Sequence, residues 1–162
     1  MIPPKQPTEA DLVLLNQAQG AELAVRDLYD AAILVGGFSD LQTSVLALFR
    51  DHHTAYAQAL NGLLSKLAVN KRNETVFSTY RDQVRSSSTA LKTLQTLENI
   101  LVATHTTIVG SLVGLDASNL LASIVIVEAR HAAVYSSAPT MNVTGALDDS
   151  AESLVAASSV QG

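Results

Sequence analysis

The sequence predicts an all-α protein, an antiparallel four-helix bundle with a long crossover between its second and third helices. Three observations carry that expectation. Apolar residues recur at alternating spacings of three and four along four separate segments, as on helices with one buried stripe. The segments are joined by a short, a long and a short link, which is the layout of two helical hairpins connected by a crossover. The composition is 48% hydrophobic but only 4% aromatic, with Ala and Leu dominant, and this suits close helix packing better than a sandwich or barrel.

Helix A starts at Thr8 or Asp11, after Pro7, with acidic residues in its first turn where the helix dipole favours them. Its stripe is Leu12, Leu15, Ala18, Glu22, Val25, Tyr29 and Ala32, and it stops at Gly36 and Gly37. Helix B opens on Ser39-Asp-Leu-Gln42, a capping-box pattern. It runs to about Ala68 with Leu46, Phe49, His53, Tyr56, Leu60, Leu64 and Leu67 on one face. Val69 to Ser88 reads as the connector, holding one or two helical turns around Phe77, Tyr80 and Val84. Helix C spans Ser88 to Val113 with the cleanest repeat: Leu91, Leu94, Glu98, Leu101, His105, Ile108 and Leu112. Helix D follows Gly114-Leu-Asp116 and ends at Pro139, with Leu121, Ile124, Glu128, His131 and Tyr135 inward. The chain of 162 residues thus divides into a tail over 1–7, one bundle over 8–138 and a C-terminal tail over 139–162. That last segment packs on the bundle or frays, with one short helix around Asp149 to Ala157.

Each stripe is interrupted by polar groups near its midpoint: Glu22, then His53 with Tyr56, then Glu98, then Glu128 with His131. Midpoints meet in a bundle, so these groups converge. A carboxylate among apolar residues needs a cation, a proton or a metal, because burying it alone costs several kcal/mol. Glu-x-x-His puts two side chains on one helix face and is the ligand spacing of di-metal carboxylate bundles. The metal-free reading pairs Glu128 with His131, and Glu22 and Glu98 with Arg26, Arg130 or a protonated His. Arg130 points roughly 100° away from the adjoining His131, outside the first ring of contacts. His105 lies two turns beyond Glu98, which places it too far along the axis to share the metal of Glu98. His52 is one residue off the stripe, at a helix interface. Tyr29 and Tyr135 lie one layer from the proposed ligands.

The segment Val127-Glu-Ala-Arg-His-Ala-Ala133 resembles the bacterial ferritin-like domain family, related to ferritin and rubrerythrin bundles, and the resemblance covers residues 8–138. Phe49-Arg-Asp-His52 is similar to the family's second-helix motif, which continues Glu-x-x-His; here those positions hold His53 and Tyr56. The family also implies a Glu on helix A, matched by Glu22, and a Glu on helix C, matched by Glu98. The resemblance implies a metal site built from Glu22, His53, Glu98, Glu128 and His131. Tyr56, Tyr29 and Tyr135 would be additional ligands or outer hydrogen-bond partners. Exchanging a carboxylate for His53 removes one negative charge, and a neutral imidazole does not bridge two cations. The expected occupancy is therefore one ion on the helix C–D side, or two with a weaker second position.

Oxygen and nitrogen donors without thiolate suit iron or manganese, with zinc and copper as further candidates. The expected function is a non-haem metal protein with redox chemistry toward dioxygen or peroxide. The alternative is a bundle that has lost a full di-metal site and serves as a structural, stress-related or partner-binding module. A net charge of -5 offers no basic patch for nucleic acid. With no cysteine, thiolate sites and disulfides are excluded. There is no nucleophile elbow, phosphate-cradling glycine loop or His-Glu-x-x-His zinc signature. No leader pattern opens the chain, and the uncharged stretch from Asn99 to Leu115 is short for a span. A soluble protein is expected, with homo-oligomerisation and export of a longer precursor both left open.

Overall fold

A computed structural model describes residues 2–136 and 151–156. The helices are α1 (Glu9–Val35), α2 (Asp40–Leu64), α3 (Glu74–Val84), α4 (Ser87–Val109) and α5 (Leu115–Ser136). Among the described residues there is no strand. The bundle is all-α: α1 and α2 form one hairpin, α4 and α5 the other, and α3 lies in the crossover against α1 and α4.

The end signals work as their chemistry requires. Thr8 and Asp11 form a reciprocal capping box at the start of α1, and Ser39 and Gln42 do the same for α2. Gly36 and Gly37 end α1 and make the turn of the first hairpin at φ 71° and 83°, a region that costs a residue with a Cβ. The second helix stops earlier than the sequence suggests, at Leu64, and continues as a single 3-10 turn over Ser65–Leu67.

The crossover differs from expectation. It holds an 11-residue helix, α3, rather than one or two turns. Asn73 caps it by accepting the Val76 amide, and Val76 and Val84 are buried. Docking starts at Gly20, whose carbonyl accepts the Asn73 amide at 2.7 Å. A Cβ at Gly20 would stand 3.2 Å from the Lys71 carbonyl oxygen, so the close approach favours glycine there.

The N-terminal residues are not a free tail. The Pro4 and Lys5 carbonyls accept the Leu115 and Asp116 amides at 3.0 Å each. Near the other end of the chain, the Leu154 amide donates to Thr104 Oγ1 at 2.9 Å, which lays that segment on α4. Of the short helix expected around Asp149 to Ala157, residues 151–156 are described and are not helical; its ends lie outside the described residues.

The core has two apolar halves. One gathers Leu28, Leu46, Leu94 and Leu97 around Tyr29; the other gathers Leu15, Leu60, Ile108, Leu121 and Ile124. Burying each leucine is worth about 1.5–3 kcal/mol, and this drives the intervening polar groups into the interior. By length and composition α5, at 22 residues and with an 18-residue window of mean hydropathy 1.2, could cross a membrane. Its buried face nevertheless carries Glu128 and His131, and it packs here as a core helix.

Candidate metal centre

The two apolar halves are separated by a polar layer. Glu22 comes from α1, His53 from α2, Glu98 and His105 from α4, and Glu128 and His131 from α5; all are 2% exposed or less. The five residues expected as ligands therefore converge, together with one that was not expected.

His53 is the hub. Its Nδ1 lies 2.7 Å from Glu22 Oε2 and its Nε2 lies 3.1 Å from Glu98 Oε1. Burial alone would drive the imidazolium to release its proton, but Glu98 and Glu22 outweigh it and hold the pKa well above the usual histidine range. Burial pushes Glu98 the other way, and His53 and His131 overcome it, leaving this carboxyl at about 2. The sequence left open whether arginine or a protonated histidine neutralises these acids. His53 does so; Arg26 pairs with Asp27, and Arg130 is exposed on the outer face of α5.

His105 joins the layer through Glu128 and Glu22 rather than through Glu98. Although two turns from Glu98 on the same helix, it lies beside Glu128, with Nδ1 3.0 Å from Oε2. The same nitrogen is 3.7 Å from Glu22 Oε1. Burial lowers the His105 pKa, and Glu128 and Glu22 more than offset this. Glu128 remains the most strained acid, with burial pushing it up to about 8 against the pull of His105.

On the opposite flank, His131 Nδ1 lies 3.3 Å from Glu98 Oε2. Its Nε2 lies 2.9 Å from Nδ1 of His52, and its ring stacks on Phe49 at 3.8 Å between centroids. His52 is half-buried at the α2–α5 interface, as expected, but it touches the cluster rather than standing beside it. Burial and the neighbouring His131 hold its pKa down. Tyr29 donates to Glu98 at 2.5 Å, and Tyr135 donates to Tyr29 at 2.9 Å. Both phenols thus serve the carboxylate as outer partners. Tyr56 is half-buried with its ring edge-on to His53, 6.1 Å between centroids. The carboxylate–imidazole groups close without it.

Several donor atoms in this layer are unsatisfied. Glu22 Oε1, Glu98 Oε2, Glu128 Oε1, His105 Nε2 and His131 Nδ1 are buried without a hydrogen-bond partner. Glu98 Oε2 and His131 Nδ1 are close in distance but misaligned for a hydrogen bond. Each such atom costs about 1–3 kcal/mol if left unpaired. Two groups bring one ligand atom from each residue within 4.8 Å of the others: His53, Glu98 and His131, and Glu22, His53 and Glu128. Nitrogen and oxygen ligands that share an ion at about 2.0–2.2 Å stand about 3–3.5 Å apart, and Glu98 stands 3.1 Å from His53 and 3.3 Å from His131.

His105 could have been found from its place on the inward stripe of helix C. His52 carries no such signal, because it is off the stripe.

A family model described as ferritin-like domain matches residues 10–141. No curated protein matches the chain. No solved structure matches it.

Proposed function

The chain belongs to the ferritin-like domain family, and from that premise we propose that its buried carboxylate–imidazole layer binds iron or manganese, with zinc as the redox-inert alternative. The observation that carries this reading is the set of orphaned ligand atoms in the layer, most of them on residues that come together in two three-residue groups. Cations held among these groups would satisfy the orphaned carboxylate oxygens and His131 Nδ1, which protons alone would not do for all of them. Residues 8–138 would form the metal-binding unit. Bound there, iron or manganese would supply one-electron chemistry toward dioxygen or peroxide.

The roles of the protein's own groups follow from their contacts. Glu98 and Glu128 supply negative charge and bind as carboxylates. His53 must give up its proton before either nitrogen can act as a ligand, so loading releases protons. Glu128 likewise binds only once ionised. Tyr29 fixes one oxygen of Glu98 and leaves the other turned toward His131. The apolar layers on either side exclude water, and half-buried His52 is where the cluster reaches the surface.

One observation favours a second reading. His53 already spans Glu22 and Glu98 with both nitrogens, a closed ion-pair network that holds the helices without metal. In that case the bundle would be a structural, stress-related or partner-binding module. Metal content per chain separates the two, measured after aerobic purification and after anaerobic loading with iron or manganese. Glu128→Ala serves as the control for specific binding. Metal retained by the native chain and lost in the variant supports the site. A chain that takes none, and whose melting ignores both chelator and added metal, leaves only the structural role.

A further inference from the structure

We propose that His105 is a metal ligand, forming with Glu22 and Glu128 a second three-ligand site distinct from that of His53, Glu98 and His131. This rests on the metal-binding reading above and concerns how the ligands are divided.

The two candidate groups share His53, and that sharing is a chemical difficulty. A neutral imidazole offers one lone pair, on one nitrogen, so His53 can complete only one site at a time. Its Nε2 lies beside Glu98, which is also adjacent to His131. Assigned there, it leaves Glu22 and Glu128 as a bare pair of carboxylates.

His105 supplies what that pair lacks. Its Nδ1 is 3.0 Å from Glu128 Oε1 and 3.7 Å from Glu22 Oε1. Those two oxygens are also the ones without a hydrogen-bond partner. The spacings bracket the separation of neighbouring ligands on one ion, about 3–3.5 Å. Of the orphaned atoms, Glu98 Oε2 lies beside His131 Nδ1, and Glu22 Oε1 and Glu128 Oε1 lie beside His105 Nδ1; the Nε2 of His105 falls outside both sets. Each set closes with two kinds of donor, and no ligand need bridge. The imidazole that Tyr56 does not provide from α2 comes instead from α4.

A purely structural His105 would need only to donate a hydrogen bond to Glu128, which a glutamine side chain can also do. His105→Gln therefore separates ligation from support. The full-length chain, stripped with a chelator, is titrated with cobalt(II) and followed by bound metal and by visible absorption. The native chain is expected to take about two ions and His105→Gln about one, with loss of the corresponding absorption. His131→Gln is expected to lose the other ion, and the double variant both. Equal cobalt counts and spectra for the native chain and His105→Gln would overturn the assignment while leaving metal binding intact. A native chain that binds no cobalt overturns both. If His105→Gln does not fold, the native chain labelled with nitrogen-15 histidine and titrated with zinc gives the answer. The His105 Nδ1 resonance should move on loading. Movement confined to His53 and His131 would again overturn the proposal.

Discussion

Tyr29 and Glu98, 69 residues apart in sequence, meet in the core through a hydrogen bond of 2.5 Å from the phenol to Oε1. The contact joins the C-terminal third of α1 to the middle of α4 and orients a carboxylate that also faces two histidines. Tyr135 extends the chain by donating to the Tyr29 oxygen. Because Tyr29 has a charged acceptor and Tyr135 a neutral one, the two phenols are not energetically equal. Removing the Tyr29 hydroxyl should cost about 1.5–3 kcal/mol, and removing that of Tyr135 about 0.5–1.5 kcal/mol. Urea denaturation of Tyr29→Phe and Tyr135→Phe checks the order; a larger loss in Tyr135→Phe would contradict it.

The metal-free protein should be most stable on the acid side of neutrality. Glu98 sits at about 2 instead of 4.5, so its contribution is present above pH 4.5 and disappears as pH falls through about 2. His53 works in the opposite sense. Its pKa is raised, so its contribution is complete below pH 6.5 and is lost as pH rises through the folded value. Glu128, raised from 4.5 to about 8, favours the fold when protonated, and that preference is lost between those values. Thermal melts of chelator-treated protein should therefore peak near pH 4.5, decline from there as Glu128 is forced to ionise, and decline more steeply above pH 6.5 toward pH 8. Added metal should flatten the decline, because it occupies the deprotonated ligands. Melting temperatures that climb steadily from pH 6.5 to 8 would refute this account.

His52→Ala should weaken metal binding without abolishing it. His131 has one nitrogen toward Glu98 and the other 2.9 Å from His52, the arrangement by which an outer partner fixes a ligand's orientation. Loss of such a partner typically lowers metal affinity about 10–100-fold. Competition against a chelator of known affinity gives the number. Unchanged affinity would mean that the stack on Phe49 suffices to hold the ring.

Asp11 ties the two hairpins together at the end of the bundle. Fully buried, its carboxylate accepts the Thr8 amide at 2.7 Å and the Val113 and Gly114 amides at 2.9 Å each. Burial raises its pKa, but these backbone donors hold it below the ordinary value. Asp11→Asn keeps the size but turns a donor toward amides that need an acceptor. The variant should lose about 2–4 kcal/mol of stability while binding metal with unchanged stoichiometry. Denaturation and elemental analysis test the two halves separately.

Much of this architecture is legible in the sequence because a helix announces its buried face and its ends locally. The stripes of α1, α2, α4 and α5 follow from spacing, and the Thr8 and Ser39 caps follow from side chains that satisfy their own backbone amides. The third helix was harder to read. Only Val76 and Val84 are buried along it, and its length depends on docking at Gly20, a contact that no local pattern reveals.

The same division applies to the site. Glu22, His53, Glu98, Glu128 and His131 could be named from sequence because each breaks an apolar stripe at mid-helix, where an unsatisfied polar group must find a partner. Their pairing could not. Periodicity measures distance along one helix, and Glu98 and His105 are separated by about 10 Å of rise. It says nothing of how far neighbouring helices slide past each other. That offset sets Glu98 beside His53, His131 and Tyr29, and sets Glu128 beside His105. It is determined by the packing of the apolar halves above and below, and the polar layer takes up the partners that this packing brings within reach.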